Sequence, residues 1–180
     1  MSIKCVAVYL GSKCGNSSIY TESASKLGEQ LAKAGISVVY GGTKVGTMNA
    51  LANGVIAGNG SVTGVIPEPF VTKSIRHDNL TECIVTKDLK ERKSVMENLS
   101  QAAIILPGSY GTMDELFEYA VNNQLQSLDR PIVLFNLNGF YDPLIDLLKN
   151  MISAGFLTPE LFSMIHNLKS VDEIIDFLSK

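Results

Sequence analysis

Short runs of β-branched and aliphatic residues alternate along the chain with longer stretches whose apolar positions recur every three or four residues. That alternation is the pattern of a parallel sheet joined by crossover helices. The runs predict strands over 5–10, 36–40, 61–66, 83–86, 102–106 and 132–135, the last being the final strand. Asn16 or Ser17 caps a helix that runs to Lys33, with Leu27, Leu31 and Ala34 as its inner stripe and Gly35 as its stop. A helix of small residues follows over 48–57. Asp88 caps another that runs to Gln101, further helices are predicted over 112–125 and 141–153, and 171–178 closes the chain. Positions 67–80 have no clean period and read as a loop. No internal repeat or low-complexity linker interrupts the series, so residues 1–180 are expected to form one doubly wound α/β domain. Its sheet should be mainly parallel, with helices on both faces.

In such sheets ligands bind beyond the carboxyl ends of the strands, where the chain direction switches. Three loops fall there: GSKCGNSS after 5–10, GGTKVGT after 36–40 and PGSYGT after 102–106. Glycines between a strand and a helix let backbone N–H groups approach an anion, and the helix N-terminus adds positive partial charge. Gly41, Gly42 and Gly46 fit that role, as do Gly108 and Gly111, although each also suits a tight turn. Neither glycine loop is GxGxxG and neither contains GK[ST], so the dinucleotide and nucleoside-triphosphate fingerprints are absent. Two such loops on one sheet edge favour a monophosphate.

Composition narrows the classes. Apolar residues make up 46% and charged residues 18% of the 180, against roughly 25% charged in ordinary soluble domains. Extensive buried surface, some of it between subunits, is the expectation. A net charge of −3 argues against nucleic-acid binding. The longest charge-free stretch is rich in Asn and Gly, which argues against a membrane span. Two histidines without ligand spacing, and three cysteines without a CxxC pair, offer no metal site. The cysteines Cys5, Cys14 and Cys83 read as reduced thiols in a cytoplasmic protein. The opening apolar run is short and ends in Gly-Ser, and is expected to be the first strand rather than a secretory leader.

One cation is oddly placed. Arg92 falls in phase with Leu89, Met96 and Leu99, on a stripe expected to be buried. It also stands in a first helical turn, where the dipole disfavours a cation by roughly 0.3–1 kcal/mol at exposed sites. Glu115 or a bound phosphate would answer it, unless the side chain snorkels outward. Lys93 sits about 100° around the same helix and can face solvent or ligand. Glu115 has a simpler reading as well, as the partner of Thr112 in a T-x-x-E capping box.

ERK at 91–93 followed by PGSYGTMDE at 107–115 resembles the RK…PGGxGTxxE signature of the LOG ("Lonely guy") family of cytokinin riboside 5′-monophosphate phosphoribohydrolases. The likeness extends through VYLGS at 8–12, VVYGGTKVGTMN at 38–49, GVIP at 64–67 and FNLNGFYDPL at 135–144, about four-fifths of the chain. Departures from the pattern fall at Thr43, Thr47 and Asn49 in GGTKVGTMN, at Ser109 in PGSYGT, at Leu89-Lys90 and at Val121-Asn122. Ser74 stands where the family often has Glu.

The resemblance implies a Rossmann-like fold, no metal or organic cofactor, and a homodimer or larger homo-oligomer with residues of both subunits near each pocket. It implies hydrolysis of the N-glycosidic bond of a nucleoside 5′-monophosphate (a cytokinin riboside 5′-monophosphate or AMP) to free base and ribose 5-phosphate. Glu115 and Arg92 would be catalytic. The phosphate would rest on Gly41, Gly42, Gly46, Gly108, Ser109, Gly111 and Thr112, with Ser12, Lys93 and Tyr110 as further ligand contacts. A nucleotide-binding protein with weak or no catalysis, or a hydrolase of another phosphoribosyl compound, are the alternatives. The family's older label of lysine decarboxylase finds no support, since no lysine sits in a recognisable cofactor motif.

Overall fold

The structure is a computed structural model, and it describes residues 3–71 and 75–180. Ser74, the position of the family Glu, lies outside the described residues. In chain order the elements are β1 (Cys5–Tyr9), α1 (Ile19–Lys33), β2 (Ser37–Tyr40), α2 (Gly46–Ala57), β3 (Val62–Pro67), α3 (Glu68–Val71), β4 (Glu82–Thr86) and α4 (Leu89–Asn98). They continue with β5 (Ala102–Ile105), α5 (Tyr110–Gln126), β6 (Ile132–Phe135), a 3-10 turn (Leu137–Gly139), α6 (Asp142–Ser153), α7 (Pro159–Ser163), β7 (Ile165–Leu168) and α8 (Val171–Leu178).

The described strands form one seven-stranded sheet in the order β4-β3-β2-β1-β5-β6-β7, and every pairing is parallel. The chain winds outward from β1 to β4, then returns to the other side of β1 as β5. That makes the β1/β5 boundary the switch point of a Rossmann-like sheet, and loops leaving the two strands must diverge there. Alternate side chains of β1 feed two cores. Val6 and Val8 join α1, α2 and α8 on one face, while Ala7 and Tyr9 join Met96, Leu116, Tyr119 and Ile145 on the other. Each fully buried aliphatic contributes about 1.5–3 kcal/mol.

Most predicted elements stand within a few residues of their expected bounds. β7 was not anticipated: IHNL is short, polar at two of its positions and only partly buried, so it carries neither alternation nor an apolar run. The 67–80 stretch holds the short α3 and an antiparallel bridge from Arg76 to Thr43. The helix begun at Asp88 stops at Asn98 rather than Gln101. Gln101 is diverted instead, its Oε1 accepting from the backbone N–H groups of Lys4 and Cys5 at 2.9 and 2.8 Å. Leu89 and Leu99, expected beside Arg92 in the core, are 52% and 42% exposed. They stand at the two ends of α4, and only Met96 of that stripe reaches the sheet. Among the described residues no helix is long and apolar enough to cross a membrane.

Helices α1 and α2 meet through glycine. A Cβ on Gly54 would lie 2.0 Å from the Ser25 carbonyl oxygen, and one on Gly28 would lie 2.4 Å from that of Leu51. Replacing Gly54 by Ala should therefore lower stability by about 1–3 kcal/mol, although Ala is the better helix former by about 1 kcal/mol. Urea unfolding of Gly54→Ala measures the difference; unchanged or raised stability would show that the helices separate freely.

Candidate active site

The site is built where β5 ends. Helix α5 starts at Tyr110, two residues before the expected position, with Ser109 as N-cap and no side-chain cap bond. Thr112 therefore lies inside the first turn and is not an N-cap. Its side chain is buried against Gly108, where an added Cβ would fall 2.0 Å from Thr112 Oγ1. The capping-box reading of Thr112 and Glu115 is thus overturned: with the helix starting at Tyr110, Glu115 stands too far into it to reach the cap.

Glu115 turns to α4 instead. Arg92 Nη2 donates to Glu115 Oε1, and the two side chains are only 12% and 7% exposed. Helix α4 is placed for this by its own cap, since Asp88 Oδ1 accepts from the Glu91 N–H at 2.8 Å and Glu91 Oε2 accepts from the Lys87 N–H at 2.8 Å. Gly41 makes room for the guanidinium, as a Cβ there would lie 2.8 Å from Arg92 Nη1. Arg92 Nε is buried with no hydrogen-bond partner among the described residues. Burial pushes the Glu115 carboxyl above its ordinary value, against the pull of the Arg92 charge and hydrogen bond. Tyr9, packed nearby, has its hydroxyl raised well above the ordinary range by burial and then by the Glu115 charge.

A cleft of about 420 Å³ opens at the switch point. Its walls are the loop 11–16, the segment Pro107, Gly108 and Ser109, and the side chains of Tyr20, Thr47 and Phe140. Of the predicted ligand contacts, Ser12, Gly108 and Ser109 line it, whereas Arg92 and Glu115 lie outside its walls. Tyr110 is 93% exposed and Gly111 faces open space, both at the start of α5.

The loop GGTKVGT does not line the cleft apart from Thr47; its glycines are used for close packing. Gly42 has φ +74° with β3 directly behind it, and Gly46 has φ +55° with its Cα against the Ser12 carbonyl. Thr47 Oγ1 donates to the Gly11 carbonyl at 2.7 Å, tying this loop to the first one. Lys93 is held by carboxylates: its Nζ bonds Asp114 Oδ2 at 2.8 Å and Glu118 Oε2. Burial alone would lower its ammonium, and those two bonds hold it above the ordinary value. Among the described residues no cluster of His, Cys, Asp and Glu could hold a metal ion.

A protein-family model described as "Possible lysine decarboxylase" matches residues 48–178. A probable cytokinin riboside 5′-monophosphate phosphoribohydrolase of Oryza sativa subsp. japonica is 36% identical over 170 residues, covering 94% of this chain and 76% of its own. The cytokinin riboside 5′-monophosphate phosphoribohydrolase of Rhodococcoides fascians is also 36% identical, over 96% of this chain and 87% of its own. The chain belongs to the LOG family. The fold of this LOG-family chain is shared with the molybdenum cofactor carrier protein of Chlamydomonas reinhardtii, at TM-score 0.73 and 21% identity over 97% of this chain and 95% of that one. At that identity the likeness concerns the fold alone.

Sequence reasoning missed Tyr20 and Phe140 as cleft walls. Tyr20 reads as part of a helix, and Phe140 follows a 3-10 turn with no periodic signal; in the fold their rings meet edge to face at 6.4 Å. The electrostatics of the pair give a direct expectation. Removing the guanidinium in Arg92→Gln leaves only the weaker Lys93 charge to oppose burial, so the Glu115 midpoint should move further up. A carboxyl raised in the folded state loses stability as pH rises through that midpoint, and the variant should show the larger loss. Carbon-13 titration of the Glu115 carboxyl reads the shift; an unmoved midpoint would mean that Arg92 does not hold the charge.

Proposed function

We propose that this chain hydrolyses the N-glycosidic bond of a nucleoside 5′-monophosphate, a cytokinin riboside 5′-monophosphate or AMP, to free base and ribose 5-phosphate. The observation that carries the reading is the buried Glu115, paired with Arg92 and placed behind the first turn of a helix whose N-terminal segment forms one wall of the cleft. The names of the relatives point to the same reaction.

Departure of the base leaves positive charge on C1′ and the ring oxygen. An ionised Glu115 opposes that charge and orients the attacking water, whose oxygen bonds C1′ and gives up a proton while the base leaves with the bond's electron pair and takes up a proton in its place. Arg92 keeps Glu115 ionised, and its unpartnered Nε supplies a donor for ribose or phosphate. The phosphate rests at the N-terminus of α5, on the backbone of Gly108, Ser109 and Gly111 with Ser12 opposite. The three free cysteines fit a reducing, cytoplasmic setting.

The protein also works as a homodimer in this reading. Phe117, Val121 and Leu125 form an exposed stripe on α5, 40%, 49% and 75% accessible, while Leu116 and Tyr119 of the same helix are buried in the core. A helix apolar on both sides wants a second cover, and a second copy supplies it. Light scattering of dilute protein should give twice 19.5 kDa; a monodisperse single-chain mass would contradict it.

Glu115→Gln should abolish base release from a panel of nucleoside monophosphates while circular dichroism stays native. The amide still accepts a bond from Arg92, although loss of the counter-charge should cost some stability. A wild-type rate in the variant would remove Glu115 from the chemistry. Nucleotide binding by the unmodified protein without base release would point to a carrier instead.

A further inference from the structure

The contact between α4 and α5 carries polar pairs at both ends, beside an apolar share in which Met96 joins the cluster of Leu116 and Tyr119. Near the site, cations on α4 meet acids on α5: Arg92 meets Glu115, and Lys93 meets Asp114 and Glu118. Further along, the polarity reverses. Glu97 of α4 accepts from Asn122 Nδ2 at 2.6 Å through Oε2, and from Arg130 Nη2 at 2.5 Å through Oε1. Arg130, in the loop after α5, is fixed in turn by Asn123: its Nε donates to Asn123 Oδ1 at 2.9 Å, and its carbonyl accepts from Asn123 Nδ2 at 2.8 Å. The Glu97 and Arg130 side chains are only 9% and 16% exposed.

This second group of residues reaches back toward the first. The Arg130 guanidinium lies over the Tyr119 ring, 4.5 Å from its centroid, and Tyr119 meets Tyr9 edge to face at 6.4 Å. Tyr9 in turn feels the Glu115 charge. On α4 the buried positions are Met96 and Glu97, with Val95 partly buried against the same core, so few apolar contacts fix that helix along its axis. Glu97 is about 7.5 Å along α4 from Arg92, and Asn122 about 10.5 Å along α5 from Glu115, at 1.5 Å per residue. Two contacts of opposite polarity at different heights are satisfied together in one register only. Sliding α4 by a turn toward the start of α5 would bring Glu97 beside Glu118.

We propose that Glu97, Asn122 and Arg130 are positioning residues for the Arg92–Glu115 pair, holding α4 and α5 in the register at which guanidinium meets carboxylate. The inference rests on the functional reading above for its kinetic consequence alone; the geometry is tested separately.

Asn122→Ala and Arg130→Lys both leave the charge of the protein unchanged, so a shift in the Glu115 titration reports geometry rather than a removed charge. In folded protein, the carbon-13 midpoint of Glu115 should move upward in both, because a loosened Arg92 opposes burial less. Turnover should fall roughly 10- to 100-fold with KM altered by no more than about twofold, as expected when a reacting group is displaced without loss of substrate contacts. An upward midpoint in either variant supports the proposal. A wild-type midpoint in both, with only the melting temperature lowered, overturns it and leaves the network as a stabilising one. If the wild-type protein releases base from no nucleotide, the functional reading fails on its own, and the titration still decides this inference.

Discussion

A carboxylate buried away from water is driven to take up a proton, and one contact, the ion pair with Arg92, opposes that drive. Burial drives the Glu115 carboxyl upward, and Arg92 is the principal opposing influence. Everything near the pair serves to keep that guanidinium in place: the Asp88 cap orients α4, the missing side chain of Gly41 leaves room for the head group, and the polar seam with α5 sets the register. Buried ion pairs are poor sources of stability, yet breaking one by removing a partner costs about 3–5 kcal/mol. In the proposed reading the pair is a functional device that the fold tolerates rather than a strut.

The sheet explains why the device sits beside a cleft. At the β1/β5 switch the outgoing loops diverge and leave a space of about 420 Å³. The segment Pro107, Gly108 and Ser109 that leads into α5 walls that space, and the second turn of the helix carries Glu115 toward α4. A phosphate bound at the helix end, as proposed, and the Glu115 carboxylate would then be set by a single rigid element. Such placement limits the motion that would otherwise dilute catalysis.

The strand series, the two-sided helices and the Arg92–Glu115 pairing were legible because each rests on local pattern or on a cation in an unfavourable turn. β7 was not, because an edge strand that is half exposed needs no apolar run. The Glu97–Asn122–Arg130 seam was hidden for a different reason: its partners are 25 to 33 residues apart, and only the fold brings them together. Asn122, a departure from the family pattern in α5, was the visible trace of it. The glycines of GGTKVGT read as a phosphate cradle from their spacing, and in the fold Gly41, Gly42 and Gly46 also admit Arg92, strand β3 and the Ser12 carbonyl. Close approach of protein to protein and close approach of protein to ligand leave the same mark in a sequence.

The cleft and the ion pair are adjacent but distinct, and the central claim is that one nucleotide engages both. A crystal structure of the Glu115→Gln variant with AMP tests this most directly. The account predicts the phosphate against Gly108, Ser109 and Gly111 at the start of α5, with C1′ facing the side chain at position 115 and Arg92 within hydrogen-bond reach of the ribose or phosphate. A nucleotide lying wholly within the cleft, with its glycosidic bond turned away from position 115, would contradict it.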